Sequence, residues 1–311
     1  MSIRKIPEGG PLNQALISVC ICTYRRPERL ARLLDTLGRQ RVDERISLEI
    51  VITDNDRLRT AEEVVRLFRE RSGGDVVYDC EPEQNIARAR NKTVSNARGQ
   101  FIAFIDDDEF PGPEWLRMLF DTCLRFRADG VLGPVNPVYD GNPPRWLVES
   151  GLCNRDSFPT GTVLDDSKFM RTGNVLFSRH ILEKSREPFD PAKGLTGGED
   201  ADFFDRMLQN GRTFIWCDEA GVFETVPEER QRMGYHVKRA FLQGMTTADQ
   251  EPLIGTGTLK SLAAVAVYTA GLPILMAVSR PLFVRYLMKD FNHAAKLLGH
   301  CGIRPVEKRT F

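Results

Sequence analysis

"LISVCICTYRRPERLARLLDTL", residues 16–37, decides the fold. Its first nine residues are apolar and largely β-branched, which reads as a buried strand. Pro27 then opens a segment in which Leu30, Leu33, Leu34 and Leu37 recur at helical spacing. Proline suits a helix start, because the N–H it lacks has no partner there. The strand-then-helix unit repeats. "SLEIVITDND" (47–56) precedes "TAEEVVRLFRER" (60–71), and "DVVYDC" (75–80) precedes "NIARARNKTVSNARG" (85–99), a helix expected to stop at Gly99. "QFIAFI" (100–105) precedes "PEWLRMLFDTCLRF" (113–126). Strands alternating with helices imply a largely parallel sheet covered on both faces.

Ligands meet such sheets at the carboxyl ends of the strands. Three of these strands end in polar clusters: Thr23-Tyr24-Arg25, Asp54-Asn55-Asp56, and Asp106 to Glu109. If the strands are parallel, the clusters share one edge. Beyond residue 130 the alternation loosens. "GVLGPVNPVY" (130–139), "RTGNVLFS" (171–178) and "RTFIWCDEAGVFE" (212–224) read as strands joined by long loops, a common place for substrate recognition.

Composition narrows the function. The 311 residues carry 43 basic and 43 acidic side chains, a formal net charge of +0, which argues against a protein built to neutralise a nucleic-acid backbone. Seven cysteines form no C-x-x-C pairs and sit mostly in apolar stretches, as expected in a reduced, cytosolic compartment. "MSIRKIPEGGPLNQ" lacks the apolar core of a signal peptide. Near the far end, residues 261–279 are free of charge, although Gly271 and Pro273 interrupt them. A segment with Arg280, Arg285, Lys289 and Lys296 among apolar residues follows. Two readings stand: a core-packed helix with a surface helix behind it, or attachment to a membrane face.

The acids carry the chemistry. Asp106, Asp107, Asp108 and Glu109 repel one another, and a hard divalent cation would turn that repulsion into binding. A solvated acidic turn is the plain alternative. "GLTGGEDADFFDRML" (194–208) places Glu199, Asp200 and Asp202 at the start of a helix behind Gly197 and Gly198. The helix dipole accounts for one acid there but not for three. A carboxylate beside a gap left by small residues can take a proton from a hydroxyl nucleophile, and Asp200 is the first candidate.

"SVCICTYRRPERLARLLDTL", "IVITDND", "NIARARNKTVSNARGQFIAFIDDDE" and "TGGEDADFFDRM", in this order, resemble the family 2 inverting glycosyltransferases of GT-A fold. "CTYRRPE", "GPVNPVYDGNPPRW" and "ETVPEER" narrow the likeness to bacterial exopolysaccharide glucosyltransferases of the succinoglycan type. The resemblance implies an N-terminal extension over 1–15, a GT-A domain over 16–255, and a hydrophobic and amphipathic helical segment over 256–311. By that resemblance Thr23, Tyr24 and Arg25 border the nucleotide of a UDP-sugar donor. Asp54 recognises the base and Arg90 lines the nucleotide site. Asp106 and Asp108 form the D-x-D pair. Asp108 is the direct ligand of Mn2+ or Mg2+, and Asp106 lies nearer the ribose and shares the metal. Asp200 is the general base, and Glu199 helps bind the acceptor, a saccharide that can be lipid-linked at the cytoplasmic membrane face.

One departure concerns the metal. Many relatives carry a His where this chain has Phe223, next to Glu224. Either the metal has fewer protein ligands or Glu224 contributes. Three rival readings are weaker. A sugar-nucleotide nucleotidyltransferase would normally show a Gly-rich loop after the first strand, where "CTYRRPE" has no glycine. A degenerate, merely binding protein has no reason to keep Asp106, Asp108 and Asp200 together. A diguanylate cyclase places its acidic motifs much closer than Asp106 and Gly198.

Overall fold

The computed structural model of the protein describes residues 14–182, 187–194 and 197–306. The extension expected over 1–15 thus lies outside the described residues except at its end, where Ala15 already opens the first strand. In chain order the elements are β1 (Ala15–Thr23), α1 (Pro27–Leu37), β2 (Ile46–Asp54), α2 (Glu62–Ser72), β3 (Asp75–Cys80) and α3 (Ile86–Asn96). Then come β4 (Phe101–Ile105), β5 (Glu109–Pro111), α4 (Trp115–Phe126), β6 (Gly130–Leu132), β7 (Val135–Tyr139), α5 (Arg145–Ser150), β8 (Val163–Leu164) and β9 (Asn174–Ser178). The rest are α6 (Glu199–Gln209), β10 (Phe214–Trp216), β11 (Val222–Val226), α7 (Met233–Gln250), α8 (Thr256–Val278) and α9 (Arg280–His300).

Packing gathers the chain into two compact units. One runs to Asn136 and takes in Arg155–Glu224; the other comprises Pro137–Asn154 and the chain from Thr225 onward. The packing boundaries fall in β7, after Asn154 and in β11.

The first unit is built on an eight-stranded sheet of order β3-β2-β1-β4-β9-β6-β10-β8. The four expected strands β1–β4 are mutually parallel where they pair. β9, within the stretch 171–178 expected as a strand, enters antiparallel between β4 and β6 and so joins the main sheet. Asn174 pins that insertion. Its side chain accepts from Trp115 Nε1 at 2.8 Å and donates to the carbonyls of Pro134 at 3.0 Å and Ala220 at 2.8 Å.

Strand alternation sends side chains to two cores. Ile17, Val19, Ile21, Ile50 and Ile52 pack with the leucines of α1, with Val65 and Phe68 of α2, and with Trp115, Leu116 and Leu119 of α4. Cys20, Val51, Ile102 and Phe104 pack on the other side with Ala87 and Val94 of α3 and with Phe203, Phe204 and Met207 of α6. The leucine spacing of 30, 33, 34 and 37 is the buried face of α1, and Pro27 stands in its first turn, as expected.

α3 ends at Asn96, three residues before the expected stop at Gly99. That glycine has another reason to be small: a Cβ there would lie 2.6 Å from both the Leu16 carbonyl and the Ser18 hydroxyl on β1. Beside it, Glu49 is wholly buried. It accepts from the Ser18 hydroxyl, from Arg98 Nε at 2.8 Å and from the Gly99 N–H at 3.2 Å. Burial works against its charge, but these donors hold its carboxyl below the ordinary range. With the lower pKa in the folded state, the stabilisation is complete above the unfolded value of about 4.3 and is lost as pH falls through the folded one. Glu49→Gln should therefore cost about 2 kcal/mol at neutral pH and flatten the acid limb of stability. Melting curves from acid to neutral pH check this, and equal curves for the two proteins would refute it.

In the second unit α9 packs against α5, α7 and α8. A Cβ on Gly244 of α7 would lie 2.1 Å from the Asn292 carbonyl of α9, so glycine is what lets these two helices touch. Gln231 Nε2 donates to the carbonyls of Asp140 at 2.7 Å and Val226 at 2.9 Å and ties the start of α7 to the loop before α5. α8 is not the core helix of the first reading: only 6% of its most apolar window is buried.

Candidate active site

The expected edge forms. β1 and β2 pair in register with Thr23 beside Asp54, and β4 runs parallel on the other side of β1. The three polar clusters therefore share the carboxyl end of the sheet in the first unit. Arg25, just past β1, takes a left-handed φ of 53°, unusual for a residue with a side chain. It lies over the Tyr24 ring at 5.0 Å and pairs with Asp56 at 3.2 Å. Asp54 is fully buried and accepts from the N–H groups of Asp56 at 3.0 Å and Ala61 at 2.8 Å and from the Tyr78 hydroxyl at 3.1 Å. Burial raises its pKa against those donors. Its carboxylate thereby fixes the loop from Asn55 to Ala61.

The four acids after β4 go four ways. Asp107 turns to β1 and α1, accepting from the Thr23 hydroxyl at 2.8 Å and from Arg26 at 3.0 Å. Asp108 meets Arg29 at 2.8 Å and Arg26 at 3.3 Å. Glu109 is buried, and its Oε2 accepts the Asp106 N–H at 3.2 Å. Its Oε1 has no hydrogen-bond partner among the described residues and lies 3.8 Å from Arg155. Burial, then the Asp106 charge, pushes the Glu109 carboxyl well above the usual range. Asp106 alone keeps an open side chain, 48% exposed.

Arg90 brings the distant acids together. Its guanidinium is buried, pairs with Glu199 and lies 3.9 Å from Asp106. The Phe189 ring sits 5.7 Å away. α3 positions this group and also holds the chain leading to α6. Asn91 Nδ2 donates to the Phe189 carbonyl at 2.7 Å, and the Phe189 N–H returns to Asn91 Oδ1 at 2.9 Å. Asn85 caps α3 by accepting the Arg88 N–H at 3.1 Å and donates to the Pro191 carbonyl at 2.9 Å. α6 then starts behind Gly197 and Gly198, whose φ of 82° and 96° favour glycine, with open space where a Cβ would stand.

The three acids of that turn separate by role. Asp202 is tied to Lys193 and, at 2.9 Å, to Arg206. Glu199 faces Arg90 and keeps a buried Oε2 without a partner among the described residues. Asp200 is half-buried and accepts the N–H of Ala201 at 2.9 Å.

Among the described residues no three His, Cys, Asp or Glu side chains gather as a metal cage. Magnesium or manganese does not require one, since one or two carboxylates with phosphate oxygens and water are its usual shell. Asp106 suits that role. Its side chain is half open, yet its oxygens lie in a crowded recess: burial first, then the charges of Asp108 and Asp107, push its carboxyl up to about 6 against the pull of Arg90. A cation there would relieve the crowding, so the residues fit the group. Asp108 would have to exchange an arginine for it. Glu224, the suggested substitute for the missing His, is held by Arg155 at 2.5 Å, and Phe223 is 46% exposed.

Sequence reasoning had no role for Arg26, Arg29 or Arg155 and left Asp107 and Glu109 aside. The signal for the first two was present: "RRPER" follows β1, which neighbours β4, so its bases meet the acids that follow β4.

Residues 18–186 match the sequence model of the family described as Glycosyl transferase family 2. Over 300 residues the chain is 33% identical to the succinoglycan biosynthesis protein ExoM of Rhizobium meliloti strain 1021, covering 94% of this chain and 95% of that one. It is 26% identical to a glucosyl-dolichyl phosphate glucuronosyltransferase of Haloferax volcanii, over 73% of this chain and 75% of the relative. Among solved structures, residues 1–349 of S. aureus TarS in complex with UDP-GlcNAc superpose with a TM-score of 0.56 at 16% identity, covering 92% of each chain. The UDP complex of the same TarS segment superposes with a TM-score of 0.54 at 16% identity, covering 92% of this chain and 91% of that one.

Proposed function

The chain is a glycosyltransferase of family 2 with the GT-A fold, and from that membership we propose that it moves a hexose, glucose, from a UDP-sugar to a saccharide hydroxyl. The acceptor is a lipid-linked or other oligosaccharide on the way to a cell-surface polysaccharide. Transfer inverts the anomeric carbon. The observation that carries the reading is Arg90, one buried guanidinium that collects Asp106 after β4 and Glu199 at the start of α6, with Asp200 next along.

Chemistry follows as a single in-line displacement. The acceptor oxygen bonds to the anomeric carbon while the bond to the departing UDP breaks, and the acceptor proton passes to Asp200. No covalent nucleophile on the protein is needed. Asp200 stands in the first turn of α6, where the helix dipole favours negative charge. Glu199 keeps one oxygen on Arg90 and offers the unpartnered Oε2 to an acceptor hydroxyl. Thr23, Tyr24 and Arg25 border the nucleotide, and Arg90 lines its site. Asp54 acts on the base as the anchor of the loop after β2; direct contact requires the Tyr78 hydroxyl to give way. A divalent cation, Mn2+ or Mg2+, held by Asp106 and Asp108, would supply charge neutralisation on the leaving diphosphate.

Two relatives support the substrate classes. The TarS structures hold UDP and UDP-GlcNAc, and ExoM is named for succinoglycan biosynthesis. The reading places the enzyme in the cytoplasm, peripheral on the inner face of the membrane. A screen of sugar nucleotides with purified protein and manganese or magnesium tests it: UDP release from UDP-glucose is expected, and consumption of no UDP-sugar with any saccharide acceptor would overturn it. Asp108→Asn should weaken UDP binding in the presence of manganese by about tenfold, the loss expected of one charged contact. Equal calorimetric affinity in the two proteins would remove Asp108 from the metal site.

A further inference from the structure

Helix α8 is inside out for a helix in water. It spans 23 residues, Thr256–Val278, and carries no charge from Ser261 to its end. Its sequence has no polar face, yet its exposure is periodic. Ser261 and Tyr268 point inward, whereas Leu262, Val267, Ile274, Met276 and Val278 stand outward, 53–77% exposed. A water-facing helix turns its polar residues out and its apolar stripe in. Here the few polar side chains are spent on α9. Ser261 meets His293 at 3.1 Å, Thr269 donates to Asp290 at 3.1 Å, and the Tyr268 ring lies 5.2 Å from that of Tyr286. These pairs run in opposite chain directions, so the two helices form an antiparallel hairpin stitched along its length.

The stitching limits what can cover the apolar stripe. By length alone α8 could cross a bilayer. Crossing would drag α9 with it, taking Arg285, Lys289 and Asp290 into hydrocarbon and Arg280 to the far face. α9 is also anchored elsewhere in its unit, since Arg285 donates to the Ser150 carbonyl at the end of α5. Exposed Lys260 and Arg280 bracket the stripe and suit anionic headgroups.

We propose that α8 lies flat in the membrane interface, its outer stripe in the headgroup–acyl boundary and α9 above it in water, and that the partner is a bilayer bearing anionic phospholipid. The inference rests on the proposed lipid-linked acceptor only for its purpose, and its test uses no sugar transfer, so either can fail alone.

The full chain should co-sediment with phosphatidylcholine vesicles containing phosphatidylglycerol and less with phosphatidylcholine alone. The double substitution Val267→Asp with Ile274→Asp should lower that partition by about tenfold or more while leaving the melting temperature unchanged. An absence of co-sedimentation, or equal partition of the double variant, overturns the proposal. So does a dimer that depends on Val267 and Ile274 and forms in place of vesicle binding, because the stripe would then belong to a second copy. Orientation is read with Thr256→Cys and Ser279→Cys, one at each end of α8, in a Cys301→Ser chain added outside sealed vesicles. Labelling of both ends by an impermeant maleimide supports the flat arrangement; protection of one end means a crossing helix and overturns it.

Discussion

Asp200→Asn should lower sugar transfer by about 10³-fold, the usual worth of a positioned general base, while UDP affinity stays as it is. The amide has the shape of the carboxylate and can still accept the Ala201 N–H, so the turn at the start of α6 keeps its local hydrogen bond. What it lacks is a site for the acceptor proton. Steady-state transfer with a saccharide acceptor, paired with calorimetric UDP binding, separates the two effects. Unchanged transfer by the variant would sink the assignment of the base. Loss of UDP binding alongside activity would instead place Asp200 on the donor.

Arg90→Met should be the most damaging single change for stability, by about 3–5 kcal/mol, because it leaves a buried carboxylate without its partner. Glu199 and Arg90 are both almost fully shielded, with side chains 7% and 8% exposed. Adding Glu199→Gln to Arg90→Met should recover much of the melting temperature, since a neutral amide tolerates burial better than a lone charge. Activity should stay low in the double variant, because nothing then faces Asp106 from α3. Full recovery of turnover would show that Arg90 is scaffold alone, and no recovery of stability would show that the buried charge is not the cause.

The legible part of this protein was its edge. Period-2 and period-3.6 patterns marked β1–β4 and α1–α4 because each element buries one continuous face, and parallel order put their ends together without knowledge of any contact. Asp200 could be told from Asp202 only weakly in sequence. Tertiary structure separates them, since Lys193 and Arg206 take up Asp202. The antiparallel entry of β9 was not legible: no local pattern in "RTGNVLFS" says which strands it joins, and Asn174 settles that through partners far along the chain. Gly99 was legible as special but for the wrong reason, because a close approach to β1 leaves no trace in its own neighbourhood.

The four acids of "FIDDDEF" mark the division. Sequence alone determined that a crowded carboxylate cluster stands at a strand end, because charge and strand periodicity are local properties of the chain. Which acid stays open was decided only by folding. Asp107 and Asp108 are taken up by the arginines and threonine that follow or end β1, Glu109 is buried towards Arg155, and Asp106 is left half open beside Arg90. The partners of Asp107, Asp108 and Glu109 lie far along the chain and Arg90 stands on the helix before β4, so packing, and no local rule, selects each contact.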